Sequence, residues 1–319
     1  MSFFACPSGS PMQHKPFSDL LTLLRGLHFV YAYIDDLMIA SKTPKEHMEH
    51  LQQLFQRLKE YSVTVNPDKC EFGKQPLQFL GHVVNSKGIT PIPGAVEAIK
   101  NYPLPNSFKK LRRFLGLINF YRRFLPHFAH IAQPLTDLLK GRSRSLNMTE
   151  TAIKTFEQLK EMLSSATLLS RRDTNAPLAL MTDASDTAVG AVLQQFTNGQ
   201  WEPLSFFSKR LNISQTRYST FGRELLAVYL AIKHFRHMFE GFAFTIFTDH
   251  KPLTKHNNYS PREVRQLDFI SQFSTDIRFV FVRIDHVRKP LHTRMRAHLK
   301  SYIQTTKQSL SNVLEKVTL

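Results

Sequence analysis

Two short apolar runs near the start of the chain constrain its local fold most strongly. Residues 29–33 and residues 37–40 are rich in residues that favour strands, and only Ile34 and the acidic pair Asp35 and Asp36 separate them. Apolar runs of this length on either side of a turn signal are typical of paired β-strands. The sequence therefore predicts a β-hairpin that carries two carboxylates at its tip.

A helix signal follows this hairpin. Thr43 is a good capping residue, Pro44 suits the first helical position, and Glu46 completes a capping box. The helix is predicted to run to about Tyr61. Apolar residues recur at spacings of three and four, so we expect them to form one face that packs on a sheet. That predicted face consists of Met48, Leu51, Leu54, Phe55 and Leu58.

The next segment combines a second hairpin with a basic helical stretch. Residues 79–84 and residues 87–89 are predicted to pair across an Asn-Ser-Lys-Gly turn. From Ser107 to about Phe128 the pattern is helical, and basic side chains alternate with aromatic ones. A helix of this composition is suited to following a phosphate backbone. Its basic residues are Lys109, Lys110, Arg112, Arg113, Arg122 and Arg123.

The sequence becomes rich in strands after Pro177. Three predicted strands come first, then a long helix, then a fourth strand. This mixture of strands and helices predicts an α/β fold class. The predicted strands cover residues 178–181, 189–193, 204–207 and 242–247, and the helix covers about residues 220–239 up to Gly241.

The charge of the chain narrows the classes of partner. Lysine and arginine total 42 against 25 acidic residues, which gives a net charge of +17. An excess of this size attracts polyanions such as nucleic acid, although a solvated basic surface is the other interpretation.

Two cysteines, Cys6 and Cys70, are too few for a disulfide framework or a thiolate metal site. We also expect no membrane segment and no signal peptide, which favours the cytoplasm or the nucleus.

Two groups of carboxylates are candidates for metal chemistry. Asp35 and Asp36 at a hairpin tip are suited to Mg²⁺, which prefers a few oxygen ligands beside substrate phosphates, but aspartates are also common in turns. Asp183 and Asp249 each follow a predicted strand, and Glu224 lies near the start of the long helix. Individually, the two aspartates could cap turns and Glu224 could be a favourable acid in a first helical turn.

From about Leu24 to about Val280 the chain resembles gypsy-like LTR retrotransposon Pol polyproteins. The order of the matching blocks is also the order found in that family. The blocks are residues 25–36 for the catalytic hairpin, residues 66–72 and 79–82 for the palm and primer grip, residues 113–124 for the thumb, and residues 134–139 for the connection.

The resemblance implies a modular organisation with reverse transcriptase and RNase H parts. The implied α/β architecture combines α+β palm hairpins, a helical thumb and connection, and an RNase H-like mixed sheet with helices. The expected parts are an atypical segment at 1–21, a palm fragment at 22–92, a thumb and connection at 93–172, an RNase H-like domain at 173–285 and a divergent basic tail at 286–319.

The resemblance also implies ligands and site residues. Asp35 and Asp36 would hold Mg²⁺ or Mn²⁺ for polymerisation, and Asp183, Glu224 and Asp249 would hold the ions for cleavage of RNA in an RNA–DNA hybrid. The nucleic acid would contact the predicted thumb residues together with the primer grip. The primer-grip residues are Phe79, Leu80, Gly81 and His82.

Two departures from the family pattern leave the function open between two hypotheses. The family draws a partner for Asp35 from an upstream strand, whereas Asp19 is the one acid before the hairpin. The family's late RNase H aspartate corresponds to residues 288–291, which contain no acid, and Asp285 is the nearest carboxylate. The chain is thus predicted to be a reverse transcriptase and RNase H fragment with an incomplete polymerase site, or alternatively a catalytically inactive nucleic-acid-binding remnant or domesticated element. Its oligomeric state is not predicted.

Overall fold

The computed structural model describes most of the chain between residues 23 and 279. The described residues are 2–7 as backbone only, 23–34, 36–140, 145–166, 168–249, 259–274 and 276–279. The chain divides into two compact units, residues 1–93 and residues 94–319. No helix among the described residues is long and apolar enough to cross a membrane.

The first unit contains a sheet built around the predicted hairpin. β1 (Ser2–Pro7), β2 (Val30–Tyr33), β3 (Asp36–Ser41) and β4 (Glu71–Lys74) lie in the order β2-β3-β1-β4. The predicted hairpin is confirmed, because β2 and β3 pair antiparallel and Tyr33 faces Asp36. Ile34 in the connection has a φ of +51°, which is uncommon for a β-branched residue. Strand β1 was not predicted.

Helix α1 (Pro44–Glu60) confirms the predicted start and end. The Thr43 hydroxyl accepts a hydrogen bond from the Glu46 N–H at 3.2 Å, and the Glu46 carboxylate accepts one from the Thr43 N–H at 3.3 Å. These two bonds satisfy backbone groups that the first turn of a helix leaves without partners.

The buried face of α1 differs from the prediction. Leu51, Leu54 and Leu58 are buried as expected, but Met48 is 67 % exposed and Phe55 is also exposed, so that part of the prediction is wrong. His47 takes the inner position instead, since its Nδ1 lies 2.9 Å from the hydroxyl oxygen of the buried Ser41. Successive residues of an α-helix are rotated by about 100° about its axis. Because His47 faces the sheet, the side chain of Met48 points away from it.

We expect Thr43→Ala to loosen α1 by removing its cap. The loss of a threonine cap destabilises a helix by about 1 kcal/mol, so amides of residues 44–60 should exchange several times faster with solvent. Hydrogen-exchange mass spectrometry of these residues measures the effect. Lys45→Ala, which removes an exposed side chain from the same turn, is the matched control. Equal exchange in both variants would mean that the cap contributes nothing.

Three short strands complete the described part of this unit. They are β5 (Leu77–Phe79), β6 (His82–Val84) and β7 (Gly88–Pro91). The β6–β7 hairpin is confirmed, but residues 79–84 are two strands rather than one. Leu80 and Gly81 both have positive φ, as a two-residue hairpin turn requires, so Phe79 pairs with His82. Cys70 is disulfide-bonded.

The second unit begins with helices. They are α2 (Pro93–Lys100), α3 (Phe108–Phe120), α4 (Phe128–Ile131), α5 (Gln133–Leu138) and α6 (Glu150–Ser164). The single helix predicted from Ser107 to about Phe128 is therefore wrong beyond Phe120. A 3-10 turn covers Arg122–Phe124, and His127 has a φ of +54°, which a continuous α-helix cannot accommodate. Helix α6 was not predicted.

A mixed sheet with helices forms the rest of this unit, as predicted for the fold class. The strands of this sheet are β9 (Leu178–Ala184), β10 (Ala188–Thr197), β11 (Gln200–Arg210), β12 (Phe244–Thr248) and β13 (Ile277–Phe279), and the short strand β8 (Leu169–Ser170) precedes them without joining the sheet. The helices are α7 (Ile213–Thr216), α8 (Thr220–Phe239) and α9 (Pro261–Ser271). The sheet order is β11-β10-β9-β12-β13, and the pairs β9–β12 and β12–β13 are parallel.

Helix α8 supplies much of the core against this sheet. Its predicted limits are confirmed, with Ser219 as the N-cap and Gly241 at a φ of +83° after the last turn. Leu225, Ile232 and Phe235 are buried in the main core cluster with residues of β9, β10 and β12. This packing holds the start of α8 beside the end of β9.

Candidate carboxylate site

Strand register brings Asp183 and Asp249 together. Asp183 lies near the end of β9, and Asp249 directly follows β12. These strands are parallel neighbours, and Thr182 pairs with Thr248. The residues after this pair therefore lie side by side at the same edge of the sheet.

Helix α8 adds the third carboxylate from above this edge. Glu224 lies in the second turn of α8 and is only 3 % exposed. Its Oε1 accepts a hydrogen bond from the Ala184 N–H at 3.2 Å. This bond ties the carboxyl group to the residue next to Asp183.

The three side chains are spaced for a shared cation. One carboxylate oxygen from each of Asp183, Glu224 and Asp249 lies within 4.8 Å of the other two. Asp183 is half-buried and Asp249 is exposed, so the group opens to solvent on one side. Among the described residues, no other group of three histidine, cysteine or acidic side chains is arranged in this way.

Burial and like charge strongly affect the protonation of Glu224. Desolvation is the largest cause and the charges of Asp249 and Asp183 add to it, and together they raise the pKa of Glu224 to about 9. The Ala184 N–H and Arg223 act in the opposite direction. At neutral pH, Glu224 therefore holds a proton when no cation neutralises the group.

The donor set fits a hard divalent cation. Carboxylate oxygens are the ligands that Mg²⁺ and Mn²⁺ prefer. The buried Glu224 Oε2 has no hydrogen-bond partner among the residues that the structure describes. A buried carboxyl oxygen without a partner is unfavourable, and coordination of a cation would satisfy it.

The other predicted metal ligands are only partly described. Asp36 is half-buried at the start of β3. Asp35 and Asp285 lie outside the described residues, and so does His250, which follows Asp249.

The predicted nucleic-acid contacts lie on two separate features. Phe79, Leu80, Gly81 and His82 form the β5–β6 turn and are all half-buried. In the helical region Lys109, Lys110, Arg112, Arg113 and Arg122 are exposed. Arg123 is less accessible, and its desolvation lowers the pKa of the guanidinium.

Sequence reasoning missed two arginine contacts made by residues adjacent to the elements that carry the carboxylates. Arg223 pairs with Asp186 beyond the end of β9, and Arg262 of α9 lies over the ring of Tyr218 at 3.6 Å. The position of Arg223 directly before Glu224 was a signal in the sequence. Its acidic partner was not, because only the fold brings Asp186 to it.

Two family models match separate parts of the chain. Residues 11–84 match the reverse transcriptase (RNA-dependent DNA polymerase) family. Residues 148–246 match the RNase H-like domain found in reverse transcriptase. The carboxylates of Asp183 and Glu224 lie within the second match.

Curated relatives are transposon polyproteins. The retrovirus-related Pol polyprotein from transposon 297 of Drosophila melanogaster is 42 % identical over 221 residues, which are 69 % of this chain and 20 % of the relative. The transposon Tf2-3 polyprotein of Schizosaccharomyces pombe is 33 % identical over 270 residues, which are 82 % of this chain and 20 % of the relative. The chain thus spans about a fifth of the length of these relatives.

Solved structures support the fold. The foamy viral protease-reverse transcriptase in complex with RNA/DNA hybrid has a TM-score of 0.70 at 22 % identity, over 86 % of this chain and 38 % of that protein. A foamy viral protease-reverse transcriptase in complex with double-stranded DNA also has a TM-score of 0.70 at 22 % identity, over 86 % of this chain and 49 % of that protein. At this identity the likeness concerns the fold alone.

Proposed function

We propose that this chain, which contains a reverse transcriptase segment and an RNase H-like domain of the kind found in transposon Pol polyproteins, cleaves the RNA strand of RNA–DNA hybrids. The observation that carries the proposal is the convergence of Asp183, Glu224 and Asp249 within 4.8 Å. Two carboxylates at one sheet edge and a third on the adjacent helix match the requirements of metal-assisted phosphodiester hydrolysis. The net charge of +17 supports a polyanionic substrate.

Each carboxylate has a distinct part in this proposal. Asp249 is exposed and Asp183 is half-buried, so both are placed to reach a cation that also contacts a substrate phosphate. Glu224 is buried and oriented by the Ala184 N–H, so it would hold the inner side of the site. It would release its proton as the cation binds, because positive charge offsets the causes that raise its pKa.

Mg²⁺ or Mn²⁺ is the proposed cofactor of this site. Bound there, a divalent cation supplies Lewis-acid polarisation of the scissile phosphate and lowers the pKa of a water nucleophile. The protein would contribute a fixed set of oxygen ligands and a half-open face for the hybrid.

The hairpin of β2 and β3 is proposed as the palm element of the reverse transcriptase segment. Asp36 lies at the tip of this hairpin, directly after the turn, and the adjacent Asp35 would be the principal ligand of a polymerase cation. The exposed basic side chains of α3 would contact the phosphates of the same hybrid.

We expect Asp183→Asn to reduce cleavage of a labelled RNA–DNA hybrid at least 100-fold in Mg²⁺. The amide retains the shape of the side chain but removes the negative charge that a hard cation requires. Rates are measured with purified full-length chain at equal concentration, with and without a chelator. Asp268→Asn, an exposed acid on α9, is the matched control and should cleave like the wild type.

The same experiment separates cleavage from binding alone. Cleavage absent from the wild type, with hybrid binding that weakens as salt rises, would reject the nuclease and support the inactive binding remnant. Equal cleavage by the wild type and Asp183→Asn would assign the activity to another site or to a contaminant.

A further inference from the structure

Arg223 connects three elements that surround the carboxylate site. Its Nη2 lies 2.6 Å from the Asp186 carboxylate, in the turn between β9 and β10. Its Nη1 donates a hydrogen bond to the Tyr218 carbonyl at 2.9 Å, just before α8. Arg223 itself lies in α8, directly before Glu224. One guanidinium therefore joins the end of the strand that carries Asp183 to the start of the helix that carries Glu224.

The turn that Arg223 holds is short and internally bonded. The Ser185 hydroxyl accepts hydrogen bonds from the Thr187 N–H at 3.3 Å and the Ala188 N–H at 3.0 Å, and it donates to the Ala188 carbonyl at 3.0 Å. Asp186 lies at the tip of this turn, three residues after Asp183. Since the turn is tight, the position of the Asp186 carboxylate is coupled to the end of β9.

Tyr218, whose carbonyl accepts the second hydrogen bond from Arg223, is itself held by an aromatic contact. The guanidinium of Arg262 lies over the Tyr218 ring at 3.6 Å and also pairs with Glu263 at 3.1 Å. A cation–π contact of this kind favours a fixed ring position. The carbonyl that accepts from Arg223 thus belongs to a residue held by α9 as well as by the chain before α8.

Fold stability does not account for this arrangement. The Asp186 side chain is 87 % exposed, and an ion pair with such an exposed partner contributes little to stability. The Arg223 side chain is only 14 % exposed, and its buried Nε has no partner among the described residues. Burying most of a guanidinium with one N–H left unsatisfied is unfavourable, and the small gain from this exposed ion pair does not offset that cost.

We propose that Arg223 is a positioning residue of the carboxylate site, which through Asp186 and the Tyr218 carbonyl holds Asp183 and Glu224 at ligand spacing. The role in metal binding rests on the proposed function, whereas the contacts of Arg223 are present without a bound cation. The hydrogen bond from the Ala184 N–H to Glu224 at 3.2 Å joins the end of β9 to the start of α8, and this is the distance that Arg223 would fix. That amide therefore reports directly on the spacing.

The test uses full-length Asp186→Asn and Arg223→Lys with two measurements. Mn²⁺ affinity is measured by calorimetry, and hydrogen exchange of the Ala184 amide is measured by NMR without metal. We expect Mn²⁺ affinity to fall about tenfold, as is typical when a residue that supports metal ligands is changed. We expect faster exchange at Ala184 and an unchanged urea midpoint. Asp186→Glu retains the carboxylate and should restore both values.

Glu240→Gln is the matched control for loss of an exposed ion pair. Glu240 pairs with Arg236 at 3.1 Å beyond the far end of the same helix, and the variant should retain both wild-type values. Unchanged Ala184 exchange in Asp186→Asn and Arg223→Lys would overturn the inference. If the wild type binds no Mn²⁺, the proposed function fails, while the Ala184 amide still decides whether Arg223 sets the spacing.

A direct role in binding substrate phosphate predicts a different pattern. Asp186→Asn would then free Arg223 and strengthen hybrid binding, with Mn²⁺ affinity and Ala184 exchange unchanged. That outcome would also overturn the positioning role.

Discussion

Glu224→Gln is expected to stabilise the metal-free protein at neutral pH, with a gain in unfolding free energy of up to about 4 kcal/mol at pH 7.5. The folded protein buries this carboxyl group beside Asp183 and Asp249, and these surroundings raise its pKa to about 9. The glutamine side chain does not ionise, so the variant has no cost of keeping a proton in the folded state. Its amide can still accept from the Ala184 N–H and can donate towards the neighbouring carboxylates.

The gain should depend on pH in a defined direction. Below the unfolded-state pKa of about 4.5, Glu224 is protonated in both states and has no such cost. Between that value and about 9, the unfolded chain ionises while the folded chain keeps the proton. Each pH unit in this window therefore removes about 1.4 kcal/mol of wild-type stability that the glutamine variant retains. Above the folded-state pKa the difference should stop growing.

Urea unfolding in a chelator at pH 5, 6, 7 and 8 measures this difference. Fluorescence of the single tryptophan, Trp201, reports on the sheet because Trp201 lies in β11 beside Phe196 and Phe247. Glu161→Gln on α6 removes an exposed acid and should show no pH-dependent gain. Parallel wild-type and Glu224→Gln curves would mean that Glu224 is already ionised in the folded protein.

Added Mn²⁺ should stabilise the wild type more than Glu224→Gln. A cation that binds only the folded state stabilises it by mass action, and the wild type has the complete set of carboxylates. The melting temperature of the wild type should rise with Mn²⁺ more than that of Glu224→Gln. An equal rise in both would place the bound cation elsewhere.

Phe235→Ala is expected to destabilise the second unit by about 3–5 kcal/mol. Phe235 is 1 % exposed on α8, and its ring lies within 6.3 Å of the Phe207 ring on β11. Truncation removes buried apolar surface and leaves a cavity between helix and sheet. The same loss should weaken the placement of α8, and hence of Glu224.

The matched control is a phenylalanine truncated at the surface. Phe120 at the end of α3 is 53 % exposed, so Phe120→Ala should change the unfolding free energy much less. Urea midpoints followed by Trp201 fluorescence compare the two variants. Similar midpoints would contradict the assignment of Phe235 to the core that supports the site.

Local signals were sufficient for several elements. The β2–β3 hairpin, the start of α1 at Thr43 and the end of α8 before Gly241 were predicted correctly, because each depends on neighbouring residues in the chain. Periodicity was less reliable for burial. Met48 and Phe55 fit the apolar stripe of α1, but the partner sheet selected the face centred on His47.

Local signals failed where the backbone reverses within an apolar run. The turn at Leu80 and Gly81 divides a stretch that looked like one strand, because Leu80 adopts a positive φ that its residue type does not predict. The positive φ of His127 likewise accompanies the break in a pattern that looked helical. Strand β13 was missed because it has only three residues. Helix α9 was overlooked although Ser260, Pro261 and Glu263 form the same kind of capping signal that predicted α1.

The sequence by itself determined the fold class, the family resemblance and the identity of the three carboxylates. Only the tertiary structure decided how they act together, because the parallel register of Thr182 and Thr248 aligns Asp183 with Asp249, and packing of α8 buries Glu224 beside them. That burial changes the protonation of Glu224, and the contact between Arg223 and Asp186 joins the two elements. Interactions between residues distant in the chain depend on how whole elements pack, and no local pattern encodes that packing.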